Sequence, residues 1–181
     1  MVDKAPKAIE TIYPYPDGYR FRSRLEARWA VFFDMLGIEY EYEKEGYDLG
    51  AAGWYLPDFW LPQVRMWAEI KPSEFTIEER EKCRQLARQS DHDCFELVGA
   101  PTPKPYYAWK WCEGKPWAGP DGFLFIDYAI SNSQGYLLTE HRFFGNGVCE
   151  EDFFEPYCYY PDTVEAATIA RQTRFGQNGR G

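Results

Sequence analysis

Asp58, Glu69 and Lys71 are the residues whose types and spacing in this chain best suit catalytic chemistry. They lie in two short, aromatic-rich runs, 54–61 and 66–71, that flank Pro62, Gln63, Val64 and Arg65, a pattern that predicts two strands joined by a hairpin loop. With those four residues as the loop, Leu61 pairs with Met66, Trp60 with Trp67 and Asp58 with Glu69. Lys71, two residues on from Glu69, shares its face of the sheet. Directly opposed carboxylates repel, so this register calls for a cation. Two carboxylates about 5 Å apart across strands can chelate a hard divalent ion through oxygen. A neighbouring lysine can orient water or steady charge on a phosphoryl oxygen. A slip of one residue would put the two acids on opposite faces. The competing reading is a surface salt bridge of about 0–1 kcal/mol. Against it, Pro57, Phe59, Trp67, Ala68 and Ile70 give these acids apolar surroundings, where unpaired charge is costly.

Glu26 is a third acid of interest. Residues Leu25, Trp29, Phe32, Phe33 and Leu36 fall on one helical stripe over 23–36, with Ser23 as N-cap and Gly37 as the stop. At 100° per residue Glu26 lies about 20° beyond Phe33, at the stripe's rim. It can therefore reach a metal at the sheet edge, or serve Ser23 as its capping-box partner.

Several further elements position these residues. Residues 38–45 alternate Tyr and Glu at period two, which predicts a half-buried strand with its glutamates on one face. Thr76 and Glu79 form a capping box that opens a helix through Arg88, and 94–98 reads as a short strand. The order is helix, strand, strand, strand, helix, strand. We expect an N-terminal arm over 1–18, a core over 19–103 and an extension over 104–181. The extension is aromatic-rich, with a hairpin (123–130, a turn at 131–135, then 136–139), a short basic-ended helix over 164–174 and a Gly-rich, flexible tail.

Pro57-Asp58 followed by Glu69-Ile70-Lys71 resembles the PD-(D/E)xK signature of restriction-endonuclease-like nucleases. The stretch from Phe21 to Trp29, with Glu26 at its centre, resembles the first-helix glutamate motif of some branches, among them TnsA-type transposon endonucleases and phage junction-resolving nucleases. The resemblance spans about residues 19 to 100, a little over half the chain. It implies an α/β fold with an αβββαβ core and a mixed sheet, and a metal-dependent endonuclease that hydrolyses DNA phosphodiester bonds. Asp58, Glu69 and Glu26 would bind Mg²⁺ or Mn²⁺, and Lys71 would assist the attacking water. Pro72 directly after Lys71 departs from the flexible residue expected there.

Composition bears on this reading. The chain has 181 residues, a net charge of -9 and 45% apolar residues. That excludes a disordered chain and a broad basic DNA-wrapping surface. No apolar run suits a membrane span, and the first ten residues carry no signal core, so a soluble, cytoplasmic protein is expected. The basic residues cluster: Arg22, Arg24 and Arg28 around Glu26, and Arg84 and Arg88 on the second helix. These clusters are candidate phosphate contacts or solvated helix faces. Tyr106, Tyr107, Trp109, Trp111 and Trp117 form either a stacking platform for unpaired bases or core and interface. The acidity predicts modest, metal-dependent DNA affinity, raised by a protein partner. The five cysteines include no CxxC pair and read as free thiols; a zinc set of Cys149, Cys158 and His141 has no common ligand spacing. The alternatives are an inactive nuclease-fold module that binds a protein, and an acidic DNA mimic.

Overall fold

A computed structural model describes residues 11–12, 20–104, 106–113, 115, 121–130, 138–140 and 161–175. The chain forms β1 (Thr11–Ile12), β2 (Arg20–Phe21), α1 (Arg24–Met35), β3 (Glu41–Tyr42), β4 (Tyr47–Asp48), β5 (Trp54–Tyr55), β6 (Phe59–Leu61), β7 (Met66–Lys71), α2 (Ile77–Ser90), β8 (Cys94–Val98), β9 (Tyr106–Trp111), β10 (Phe123–Ile130), β11 (Leu138–Glu140) and α3 (Pro161–Gln172). Its centre is a seven-stranded mixed sheet in the order β11-β10-β9-β8-β7-β6-β3. Only β7 and β8 pair in parallel; the other neighbours are antiparallel. The connection between β7 and β8 carries α2, as a parallel pair requires. This is an α/β chain with a mixed sheet, and β9 to β11 continue that sheet from the extension.

The two faces of the sheet bury different cores. On one, Phe59, Leu61, Met66, Ala68, Ile70, Phe95, Leu97 and Ala108 pack with α1 and α3. On the other, Trp60, Trp67 and Cys94 pack with Tyr55 and with Cys83, Leu86 and Ala87 of α2. Alternate residues of β6 and β7 supply the two sets, as period two dictates. The predicted hairpin register holds: Leu61 pairs with Met66, Trp60 with Trp67 and Phe59 with Ala68. A left-handed Arg65 (φ 56°) closes its turn.

Helix α1 begins as expected, with the Ser23 side chain accepting the Glu26 amide. Its burial is wider than one stripe: Ala27, Ala30 and Val31 are inside along with Trp29, Phe32 and Phe33. The reason is α3, whose buried Ala166, Ala167 and Ala170 belong to the same core. Small side chains let two helices approach closely. On α2 the capping box is complete, with Thr76 and Glu79 each bonding the other's backbone amide.

Three expectations need correction. The alternating 38–45 segment forms a strand only at Glu41–Tyr42, because Glu43 takes a left-handed φ of 47° and turns the chain. Residues 54–61 are two strands: Trp54–Tyr55 pairs with Tyr47–Asp48 in a separate hairpin, and Phe59–Leu61 joins the main sheet. Pro57, which has no amide to donate, stands at the break. The last helix begins at Pro161 and ends at Gln172. The 123–130 hairpin forms, with β11 at Leu138–Glu140. The turn at 131–135, most of the N-terminal arm, Trp117, the Cys149, Cys158 and His141 set and the tail beyond Phe175 lie outside the described residues. Cys83 and Cys94 are free, buried thiols, and Cys112 is buried as well.

Candidate active site

The strand β6 stops one residue short of Asp58, and the Asp58 side chain takes over the pairing. Its Oδ2 accepts the Ile70 amide at 2.8 Å, while its carbonyl accepts the Glu43 amide at 2.9 Å. Asp58 therefore ties the ends of β3 and β7 together. Glu69, on β7, is buried at 4% exposure. Its Oε1 takes the Lys71 ammonium at 2.5 Å, and its Oε2 is buried with no hydrogen-bond partner. The Tyr55 phenol lies close by, and burial together with the charges of Cys83 and Glu69 pushes it well above its ordinary pKa.

Three acids share one field. Burial raises the Asp58 carboxyl well above the usual carboxylate range, and the charges of Glu69 and Glu26 raise it further. The Ile70 amide and Lys71 oppose them without prevailing. Burial works to lower the Lys71 pKa, but Glu69, Asp58 and Glu79 outweigh it and hold the ammonium above its ordinary value. Glu79 of α2 approaches Lys71 at 3.9 Å.

Glu26 sits at the rim of this group, with both oxygens engaged. Oε2 accepts from the Arg22 amide at 3.0 Å and the Tyr42 hydroxyl at 2.6 Å. Oε1 accepts the Ser23 hydroxyl at 2.7 Å. It thus acts as a cap for α1, bonding the Arg22 amide in place of the Ser23 amide. Burial raises the Tyr42 phenol, and its bond to Glu26 adds to that.

The residues fit a cation at Asp58 and Glu69. Those two acids form a mutually repelling pair, and the orphaned Glu69 Oε2 lacks the positive partner that burial demands. Two hard carboxylates suit Mg²⁺ or Mn²⁺. Among the described residues no group of three or more His, Cys, Asp or Glu side chains is placed to hold an ion, and Glu26 is engaged by three donors.

The arginines divide. Arg22 is exposed and pairs with Glu43 at 2.6 Å, and Arg24 is exposed beside it. Arg28 is half-buried, with an unpartnered Nε. Arg84 is held by Glu81 and Asp121 and lies over the Trp109 and Phe123 rings. Arg88 lies over Trp111, about 13 Å along α2 from Glu79 at 1.5 Å per residue. Only the α1 group stands beside the acids; Arg84 and Arg88 brace α2 against β9 and β10.

Sequence reading missed Tyr42, Glu43, Tyr55 and Glu96. The alternation of 38–45 makes Tyr42 and Glu43 parts of a uniform strand, and nothing in their spacing marks the turn at Glu43. Glu96 had a legible signal, an acid at the centre of the apolar 94–98 run. No family model, curated protein or solved structure matches this chain.

Proposed function

We propose that this chain is a metal-dependent endonuclease of the restriction-endonuclease-like class, hydrolysing DNA phosphodiester bonds at Asp58, Glu69 and Lys71. The observation that supports the reading is the buried Asp58 carboxyl, bonded to the Ile70 amide and within the field of Glu69, with the Lys71 ammonium 2.5 Å from Glu69. The element order supports it: α1, β3, β6, β7, α2 and β8 follow the αβββαβ sequence, with helices on opposite faces of a mixed sheet.

Asp58 and Glu69 would hold Mg²⁺ or Mn²⁺, which when bound supplies Lewis acidity toward a phosphoryl oxygen and acidifies water. Glu26 contributes negative charge to the field and fixes the start of α1. Lys71, held protonated by its acidic neighbours, donates hydrogen bonds and stabilises the charge that grows on the phosphoryl oxygen; it does not take the proton from water. Water attacks phosphorus in line and gives up a proton to solvent, the bond to the leaving oxygen breaks, and that oxygen takes a proton from solvent. With a net charge of -9, the chain has modest DNA affinity and draws on a protein partner for more. No helix among the described residues is long and apolar enough to cross a membrane.

Supercoiled, linear, branched and single-stranded DNA incubated with the protein in Mg²⁺ or Mn²⁺ tests this. Cleavage is expected from the native chain and should be lost in Asp58→Ala and Lys71→Ala; activity that survives both substitutions overturns it. One observation favours a second reading, an inactive module that binds a protein. The Lys71–Glu69 pair and the triply bonded Glu26 leave the site partly self-compensated. Calorimetry with Mn²⁺ separates the two, because only the nuclease reading expects heat that depends on Asp58 and Glu69.

A further inference from the structure

The row of paired residues continues past the acids. The β7–β8 register sets Glu96 beside Glu69, and the β8–β9 register sets Tyr107 beside Glu96. Paired residues on neighbouring strands share a face, so Glu69, Glu96 and Tyr107 stand in line on the α2 side, about 5 Å apart per strand. Beside this line opens a cavity of about 390 Å³, whose walls include Arg80, Glu96, Val98, Lys104 and Tyr107.

The cavity is built differently from the acid pair. Both oxygens of buried Glu96 are engaged, Oε1 by Trp109 Nε1 at 2.6 Å and Oε2 by Arg80 Nε at 3.3 Å. Glu96 therefore anchors a cation at the wall, where Glu69 offers an orphaned oxygen. Arg80's other carboxylate, Glu74, is 3.6 Å away and 82% exposed, a pairing of little strength that a phosphate can displace. Lys104 is exposed at the rim, with its ammonium 5.4 Å from the Tyr106 ring. Tyr106 itself is buried, whereas Tyr107 is 48% exposed. Among the described aromatics of the 106–111 strand, Tyr107 is the one turned outward to this degree.

We propose that this cavity binds one unpaired nucleotide adjoining the scissile phosphate, with Arg80 and Lys104 on its phosphate and Tyr107 stacked on its base. The inference rests on the nuclease reading and deepens it by naming the substrate class: DNA with unpaired nucleotides beside the cut. Two cations match a phosphate, and an exposed aromatic face stacks a base of any identity. A space of this size, at the small end of ligand pockets, admits a single nucleotide and excludes a base pair still stacked in its duplex. The separation of Tyr107 from Glu69, about 10 Å over two strand spacings, suits a neighbouring nucleotide of one strand.

Fluorescence anisotropy with the full chain in Ca²⁺ tests this, using a splayed-arm DNA and a fully paired duplex of equal length. The native chain should prefer the splayed DNA. Tyr107→Ala should shrink that preference at least about fivefold, the loss expected of one stacked base, and Tyr107→Phe should restore it. Lys104→Gln should lower the salt slope for splayed DNA by about 0.7, the value for one phosphate contact on a single strand. Equal affinity of the native chain for both DNAs, or a preference that Tyr107→Ala leaves intact, overturns the inference. Cleavage in Mg²⁺ is scored separately. A Tyr107-dependent preference without cleavage removes the hydrolytic reading and keeps the nucleotide site, and cleavage indifferent to DNA form and to Tyr107 does the reverse.

Discussion

The Asp58 carboxylate accepts the backbone amide of Ile70 at 2.8 Å, so the residue that most needs a cation also finishes the β6–β7 ladder. These two roles are separable by substitution. In Asp58→Asn the side-chain oxygen still accepts the Ile70 amide, while the charge that faces Glu69 and Glu26 is gone. Without divalent ions the variant should be more stable than the native chain by about 1 kcal/mol. Mn²⁺ at about 100 times its dissociation constant should stabilise the native chain by about 2.7 kcal/mol and the variant by almost nothing. Thermal melts in EDTA and in Mn²⁺ read both effects; a variant that melts lower in EDTA would show that the charge is not a burden.

Asp34 gives the fold a pH dependence distant from the acids at the sheet edge. Burial raises its carboxyl to about 7, with Tyr40 pulling weakly the other way, and its Oδ2 is buried without a partner. A raised folded pKa means that the folded chain binds the proton more tightly than the unfolded chain. The stability it adds is therefore fully present below the unfolded value of about 3.9 and is lost as pH rises through about 7. Allowing for partial exposure, that loss is about 1–2 kcal/mol. Asp34→Asn should flatten the urea midpoint between mildly acid and mildly alkaline buffer; an unchanged slope would show the proton to be bound equally in both states.

The hairpin that carries the acids was legible because three local signals agree. Apolar runs flank a four-residue turn, the two tryptophans fall opposite each other, and a one-residue slip would exchange the Phe59 and Ala68 face with the Trp60 and Trp67 face. Residues 38–45 show the limit of such reasoning. Their alternation fits a strand, yet Glu43 turns left-handed and its carboxylate pairs with Arg22. Nothing local distinguishes the two outcomes. Likewise the helical stripe on α1 identified one buried face, but Ala27, Ala30 and Val31 are buried because α3, more than 120 residues later, covers the other. Pattern reports the faces an element offers, and tertiary neighbours decide which are used.

Lys71 competes with a metal for Glu69. Its ammonium occupies Oε1 at 2.5 Å, so replacing it with an uncharged side chain removes a resident positive charge from the pair. Lys71→Met should bind Mn²⁺ at least as tightly as the native chain in calorimetry, while cleavage falls by about 100-fold or more. That split separates transition-state stabilisation from metal binding. Loss of both together would place Lys71 among the groups that build the metal site.

Tyr42 and Glu26 should behave as one unit. The hydroxyl donates to Oε2 at 2.6 Å, and the same carboxylate caps α1 through the Arg22 amide and the Ser23 hydroxyl. Glu26→Ala therefore strands the Tyr42 and Ser23 hydroxyls, leaves the Arg22 amide only its 3.1 Å bond to the Tyr42 oxygen, and should cost about 2–3 kcal/mol, combining a lost cap with a buried hydroxyl left unpaired. Tyr42→Phe removes one donor and keeps the ring against Phe21 and Phe59, so it should cost about 1 kcal/mol. In the double variant the Tyr42 hydroxyl is no longer there to be stranded, and its cost should fall short of the sum of the singles by about 0.5–2 kcal/mol. Urea unfolding of the four chains gives the coupling energy. Strict additivity would mean that the Tyr42 hydroxyl finds water when Glu26 is absent, and that Glu26 acts on α1 alone.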